Sequence, residues 1–106
     1  MSGSRTITRD EGRLGNVHPG DILRDDFLIG SELPLAEVAH GTGIDADRLS
    51  RLLEGGIAVD ADIDLRLARY LGVSEGFFLA LQNDYDLEEF RLKHADELDR
   101  IVPRAA

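Results

Sequence analysis

The segment from Leu35 to Gly56, LAEVAHGTGIDADRLSRLLEGG, has the spacing of two short helices joined by a tight turn. In such a pair the first helix needs a small residue where the helices cross, and the turn needs a glycine that tolerates a positive φ. The second helix needs apolar residues that face back into the domain. The residues at these places are Ala39, Gly43, Ile44, Leu49 and Leu52. The segment is therefore predicted to form a helix-turn-helix.

The outward face of the second helix carries mixed charge. At about 100° per residue, Leu49, Leu52 and Leu53 define its buried side. The opposite side and its flanks hold Asp47, Arg48, Ser50, Arg51 and Glu54. One interpretation is a solvated face, since Asp47 and Arg51 are spaced to pair along the helix. The other is a DNA-reading face, in which the arginines contact phosphates or bases and Asp47 accepts from a cytosine amino group.

Helical signals continue on both sides of this segment. Before it, a helix is predicted to begin near Pro19 and to stop at Gly30. After it, Asp60 can cap a central helix that ends at Gly72, and Ser74 can cap the next one. The run LEEFRLKHADELDRI then predicts a separate last helix. The sequence therefore predicts an all-α domain of five or six short helices.

The chain divides by composition into three parts. Residues 1–16 are polar and rich in glycine, and they are predicted to form a flexible N-terminal arm. Residues 17–92 hold the helix-turn-helix domain, and residues 93–106 hold the end of the last helix and a tail. The arm has three arginines that can lie in a DNA minor groove, namely Arg5, Arg9 and Arg13.

Charge and composition limit the class of protein. The 106 residues carry a formal net charge of −9, and nucleic acid repels such a chain unless its basic groups are gathered in one place. A basic protein is the partner that this charge favours. No cysteine is present, which excludes disulfides and thiolate metal sites. No apolar run approaches the roughly 20 residues needed to cross a bilayer, so we expect a cytoplasmic protein without a membrane partner.

No constellation of residues predicts an enzyme. The three histidines, His18, His40 and His94, share no spacing typical of metal ligands, and His18 is expected to cap the first helix. The acidic run DYDLEEF is more often a solvated helix face than a pair of catalytic carboxylates. No serine, lysine or histidine is placed to complete a nucleophilic site. We therefore predict neither catalytic residues nor a cofactor or metal.

The largest aromatic cluster lies after the central helix, in EGFFLALQNDY. Its apolar residues cover more than one side of a helix, so they cannot all reach a single core. We predict that a second copy of the chain covers the apolar residues that do not reach the core, so that the protein is a homodimer. The predicted interface residues are Phe77, Phe78, Leu81 and Tyr85. The alternative is that the last helix folds back over the cluster within one chain.

Three runs of the sequence resemble the HigA-type antitoxins, also described as virulence-associated protein I-like regulators. The runs are HPGDILRDDFL, LAEVAHGTGIDADRLSRLLEGG and LRLARYLGVSEGFFLALQNDYDL, within about Val17 to Leu92. The resemblance implies a λ-repressor-like fold in which the second and third helices read DNA. It also implies a dimeric antitoxin that binds a basic, RelE-like ribonuclease toxin and represses the operator of their shared operon.

The chain departs from this family just after the predicted recognition helix. Family members usually carry basic residues there, whereas this chain has EGGIAVD from Glu54 to Asp60, and Asp60 replaces the usual threonine cap. An alternative function is therefore a protein-interaction module or solitary transcriptional regulator with the same fold and weak or lost DNA binding. On the DNA-reading hypothesis the contacts come from Thr42, Ala46, Asp47, Arg48, Ser50 and Arg51.

Overall fold

The computed structural model describes residues 15–105, and within that range it contains helices and no strand. This confirms the predicted all-α class, and the order of helices confirms the helix-turn-helix. The first helix, α1, continues directly into a π-helical segment, Leu23–Ile29. The α-helices are α1 (Pro19–Ile22), α2 (Leu35–Thr42), α3 (Ala46–Leu53), α4 (Ala61–Leu71) and α5 (Phe77–Asp99).

The first helix packs its backbone against α3. His18 caps it as predicted, because Nδ1 of His18 accepts a hydrogen bond from the amide of Gly20 at 2.9 Å. A Cβ atom on Gly20 would lie 2.0 Å from the carbonyl oxygen of Leu52, so only glycine permits this approach. The wider π-helical turn that follows was not predicted, although the segment ends at Gly30 as expected.

The ends of α4 are those that the sequence predicts. Oδ1 of Asp60 accepts from the amide of Ile63 at 2.9 Å and so caps the first turn. Gly72 closes the helix in the left-handed conformation, with φ 77°. Close packing of α4 on α2 depends on Gly41, because a Cβ atom there would lie 2.1 Å from the ring of Tyr70.

One hydrophobic core holds the helices together. The π-helical segment, the helices α2 to α5, the α2–α3 turn and the α3–α4 loop each supply at least one buried side chain to it. Its largest buried members are Leu23, Val38, Leu49, Leu52, Ile63, Leu67 and Phe78. The two helices of the helix-turn-helix are therefore fixed to the rest of the domain by packing rather than by their turn alone.

The C-terminal half contains one helix with a kink at His94, where two helices meeting near Tyr85 were predicted. The predicted break near Tyr85 is wrong, since α5 runs from Phe77 to Asp99 and departs from helical φ and ψ only at His94. The boundary predicted at residue 92 falls inside this helix. Within residues 15–105 no helix is long and apolar enough to cross a membrane.

Asp64, rather than Ser74, caps the start of α5. The carboxylate of Asp64 is fully buried on α4 and accepts from the amides of Gly76, Phe78 and Leu79 at 2.6, 2.8 and 3.0 Å. The predicted Ser74 cap is therefore wrong, because a side chain from another helix satisfies these donors. This bond set fixes α5 to α4.

Candidate nucleic-acid interface

The turn between α2 and α3 is fixed by hydrogen bonds. The hydroxyl of Thr42 donates to the carbonyl oxygen of Val38 at 2.7 Å and accepts from the amide of Ile44 at 3.1 Å. Gly43 ends α2 in the left-handed conformation, with φ 78°, as the helix-turn-helix prediction requires. Asp45 then caps α3, because its side chain accepts from the amide of Asp47 at 3.0 Å. These bonds set the direction in which α3 leaves the turn.

The structure confirms which side of α3 faces solvent. Leu49 and Leu52 are buried in the core, whereas Arg48 and Ser50 are half-buried on the flanks. The residues of α3 and its C-cap that are exposed are Ala46, Asp47, Arg51 and Glu54. A ridge of mixed charge therefore projects from the domain along the outward side of α3.

Arg51 is the cation on this ridge that is available to a ligand. The sequence spaces Asp47 and Glu54 to pair with it, but neither carboxylate lies within ion-pair distance of its guanidinium in the described part of the chain. These residues therefore do not form the salt-bridged solvated face that was the alternative interpretation. An exposed guanidinium that has no ion-pair partner among residues 15–105 can donate to phosphate or to a base edge.

Thr42 does not face outward. It is only 7% exposed, and its hydroxyl is used by the turn bonds to Val38 and Ile44. The single hydroxyl proton of Thr42 is used within the turn, so the contact of Thr42 with DNA, which stays a prediction, cannot use it as a donor. Its role is to fix the turn that orients α3.

Arg48 is held by two carboxylates from the start of α4. Its Nη1 atom lies 2.6 Å from Oδ2 of Asp62, and its Nη2 atom lies 2.9 Å from Oδ2 of Asp60. We call Arg48, Asp60 and Asp62 the Arg48 clamp. The hydrogen bond that Arg48 donates to Asp62 raises the pKa of Arg48, so the arginine stays charged in the clamp.

Arg66 fixes the clamp to the helix-turn-helix. Nε of Arg66 donates to Oδ1 of Asp62 at 2.7 Å, and its Nη1 atom donates to the carbonyl oxygen of Thr42 at 2.9 Å. Hydrogen bonds from Arg66 and from Arg48 lower the pKa of Asp62 below its usual value. The network therefore remains ionised at neutral pH and links α3, α4 and the α2–α3 turn.

The surroundings of α3 are acidic overall. Five carboxylates stand on or beside its outward side and three arginines oppose them. The carboxylates are Asp45, Asp47, Glu54, Asp60 and Asp62, and the arginines are Arg48, Arg51 and Arg66. Because two of the three arginines are already paired, this surface can attract DNA only weakly and at low ionic strength.

The predicted subunit interface lies mostly on the inward side of α5. Phe78 is 1% exposed and belongs to the core, so the prediction that it meets a second subunit is wrong. Leu81 and Tyr85 are half-buried, and Tyr85 packs edge-on against His18 with 4.9 Å between ring centroids. Of the four predicted residues, Phe77 alone is classed as exposed.

Another apolar surface runs along the opposite side of α5. Its members recur at intervals of three and four residues, which places them on one side of a helix. We call it the α5 stripe, and it consists of the apolar Leu87, Phe90 and Leu98, of His94, whose Nδ1 lies 2.7 Å from a carboxylate oxygen of Glu97, and of Ile101, which lies just beyond the end of α5. Phe90 is 53% exposed and stacks on the ring of His94 at 4.2 Å. Because α5 continues from Phe77 past Tyr85 to the kink at His94, and Phe77 and Leu79 are each 37% exposed, the alternative that the last helix covers the apolar cluster is wrong.

The remaining predictions concern metals and the arm. Among residues 15–105 no group of three or more potential ligands is arranged to hold a metal ion. Arg5, Arg9 and Arg13 lie outside the described residues. The described end of the arm contacts the domain, because the side-chain amide of Asn16 donates to the carbonyl oxygen of Tyr85 at 2.6 Å.

Comparison with known proteins extends the likeness over most of the chain. No protein-family model matches it. Virulence-associated protein I of Dichelobacter nodosus is 29% identical over 83 residues, which are 78% of this chain and 77% of that protein. The structure of Pseudomonas aeruginosa antitoxin HigA with the higBA promoter is 28% identical, with a TM-score of 0.78, over 85% of this chain and 99% of that chain. Antitoxin GraA in complex with its operator is 31% identical, with a TM-score of 0.77, over 89% of this chain and 97% of that chain.

Proposed function

Because the chain belongs to the family of HigA-type antitoxins, we propose that it is a DNA-binding antitoxin of a type II toxin-antitoxin system that represses its own operon. The observation that carries this proposal is the exposed ridge of α3, which bears Arg51, an arginine without an ion-pair partner among residues 15–105, and is held at a fixed angle by the α2–α3 turn. Two of the similar structures contain promoter or operator DNA.

In the proposed complex α3 enters the major groove. Arg51 donates to a phosphate or to a guanine edge, and Ser50 donates to the backbone beside it. Ala46 and Asp47, in the first turn, lie closest to the bases, where Asp47 accepts from a cytosine amino group. Arg48 can add a contact with the DNA only to the extent that Asp60 and Asp62 release it.

We propose that two chains pair through the α5 stripe. Large apolar side chains exposed in one line on a soluble helix mark a contact with another protein surface. A symmetric dimer carries two copies of α3, and where both contact the same DNA the two weak contacts bind jointly. This arrangement compensates for the acidic surroundings of each α3.

The proposed toxin partner is a basic, RelE-like ribonuclease in the cytoplasm. Support comes from the family and from the net charge of −9, which attracts a basic protein and speeds its association. The proposal requires a small basic protein to be encoded beside this gene, and co-expression with the product of the neighbouring gene tests it. We expect the pair to copurify and the growth arrest caused by the toxin to be relieved. Growth arrest that persists without a complex would contradict the antitoxin function.

DNA binding is tested by titrating the DNA upstream of the gene at about 50 mM and about 200 mM salt. Wild type should bind with an affinity that falls steeply with salt, and Arg51→Ala should lose about tenfold. The matched control is Arg69→Ala, which removes an exposed arginine from the far end of α4 and breaks only its pair with Glu75. It should bind like wild type.

The second candidate is a protein-interaction module or solitary regulator that keeps this fold with weak or lost DNA binding. The observation that favours it is the Arg48 clamp, which holds one of the two arginines of α3 in ion pairs with Asp60 and Asp62. In that case the upstream DNA gives no sequence-preferring complex at either salt concentration. Equal affinities for wild type, Arg51→Ala and Arg69→Ala would also reject α3 as the reading helix.

A further inference from the structure

We propose that Asp60 and Asp62 limit the affinity of this protein for its operator, because they hold Arg48 in a contact that DNA must compete for. The inference rests on the proposed function and assigns two affinity-determining residues that do not belong to α3. Both carboxylates come from the start of α4.

The clamp occupies the atoms of Arg48 that DNA would use. Each terminal nitrogen of the guanidinium donates to a different carboxylate, at 2.6 Å to Asp62 and at 2.9 Å to Asp60. Arginine binds a phosphate or a guanine edge through the same two-pronged geometry. Arg48 therefore has to leave one or both carboxylates before it can make a bidentate contact with DNA.

The two carboxylates are fixed in place before Arg48 meets them. Asp60 uses its other oxygen to cap α4 at the amide of Ile63, 2.9 Å away. Asp62 uses its other oxygen to accept from Nε of Arg66 at 2.7 Å. Most exposed ion pairs are weak because two mobile side chains must be ordered together. Here each carboxylate already has a second partner, so less side-chain freedom is lost when Arg48 pairs with it.

Release of Arg48 has a second cost. Once the guanidinium turns toward DNA, Asp60 and Asp62 stand beside the phosphates with one fewer positive charge near them. Exposed carboxylates in this position repel the phosphate backbone. The affinity is therefore low whether Arg48 stays in the clamp or leaves it.

The test compares Asp60→Asn and Asp62→Asn with wild type in titrations of the upstream DNA. The Asp60→Asn side chain keeps an oxygen to cap Ile63 but loses the charge that holds Arg48. We expect each variant to bind about fivefold more tightly. The slope of log affinity against log salt should also steepen by about one, because Arg48 adds a phosphate contact. Glu54→Gln is the control, since it removes an exposed carboxylate beside α3 that takes no part in the clamp.

A double-mutant cycle separates the clamp from the simple loss of negative charge. In an Arg48→Ala background, Asp60→Asn should gain no more affinity than Glu54→Gln does, and the salt slope should stay constant. Thermal unfolding followed by circular dichroism checks that each variant is folded. If Asp62→Asn is destabilised, the test uses Asp60→Asn.

The outcomes separate this inference from the proposed function. If wild type binds the DNA and the asparagine variants bind equally well or less tightly, the clamp does not limit affinity and the inference is wrong. Equal gains with and without Arg48 overturn it as well. If neither wild type nor any variant binds, both the inference and the DNA-binding function are wrong. If the asparagine variants bind the DNA and wild type does not, the result supports the inference, because the clamp then prevents binding altogether.

Discussion

Asp62 accepts hydrogen bonds from two arginines, from Arg66 at 2.7 Å and from Arg48 at 2.6 Å. Both bonds favour the charged form and lower its pKa below the usual 3.8, with the bond from Arg66 the larger cause. A carboxyl group whose pKa is lower in the folded state stabilises the fold above its unfolded pKa. That contribution is lost as the pH falls through the folded pKa.

Carboxyl titration by NMR checks this shift. We expect Asp62 to titrate below 3.8 in wild type, and we expect Arg66→Ala to raise its pKa more than Arg48→Ala does. Arg69→Ala is the control, because Arg69 pairs with Glu75 instead. An unchanged Asp62 pKa in both Arg66→Ala and Arg48→Ala would show that the network does not form in solution.

Single residues differ in how far the sequence reveals their contacts. Asp62 and Arg66 are four apart on one helix, a spacing that predicts their pair directly. Arg48 and its two carboxylates are separated by 12 and 14 residues, with a helix end and a loop between them. Their contact depends on how α4 packs beside α3, so the sequence alone predicts an available arginine where the structure has a bound one.

At the scale of the helix, α5 depends on α4 for its start. The buried carboxylate of Asp64 accepts from three amides of the first turn of α5 and its cap. Asp64→Ala leaves these donors without partners and should lower the free energy of unfolding by about 1–3 kcal/mol. Ser74→Ala should change it by only a few tenths, since Ser74 supplies no cap to α5. Chemical denaturation measures both, and equal losses would contradict the assignment of the cap.

The helix ends show which parts of the fold are local. Some helix ends can be recognised in the sequence because the residue that ends the helix lies within a few residues of the bonds it makes. These residues are Asp60 at the start of α4 and the left-handed glycines Gly43 and Gly72 at the ends of α2 and α4. The continuity of α5 is not local. A polar stretch near Tyr85 suggests a break, but contacts of Tyr85 and Gln82 with His18 and Val59 hold the helix through it.

At the scale of the whole molecule, the α5 stripe predicts self-association. Phe90→Asp places a charge in the centre of the stripe and should convert the dimer to a monomer in sedimentation experiments, because the apolar contact then has to bury a carboxylate. Leu92→Asp is the matched control, since Leu92 is 63% exposed and lies off the stripe. Equal effects of the two changes, or a monomeric wild type, would reject the stripe as the interface.

The central claim is that the exposed ridge of α3 reads DNA. Amide chemical shifts recorded while the upstream DNA is added test it most directly, since they report contact residue by residue. We predict that the largest changes fall at Asp47, Ser50 and Arg51, with smaller ones at Arg48 as the clamp opens. Changes that leave residues 45–54 unaffected while a complex forms would contradict the claim.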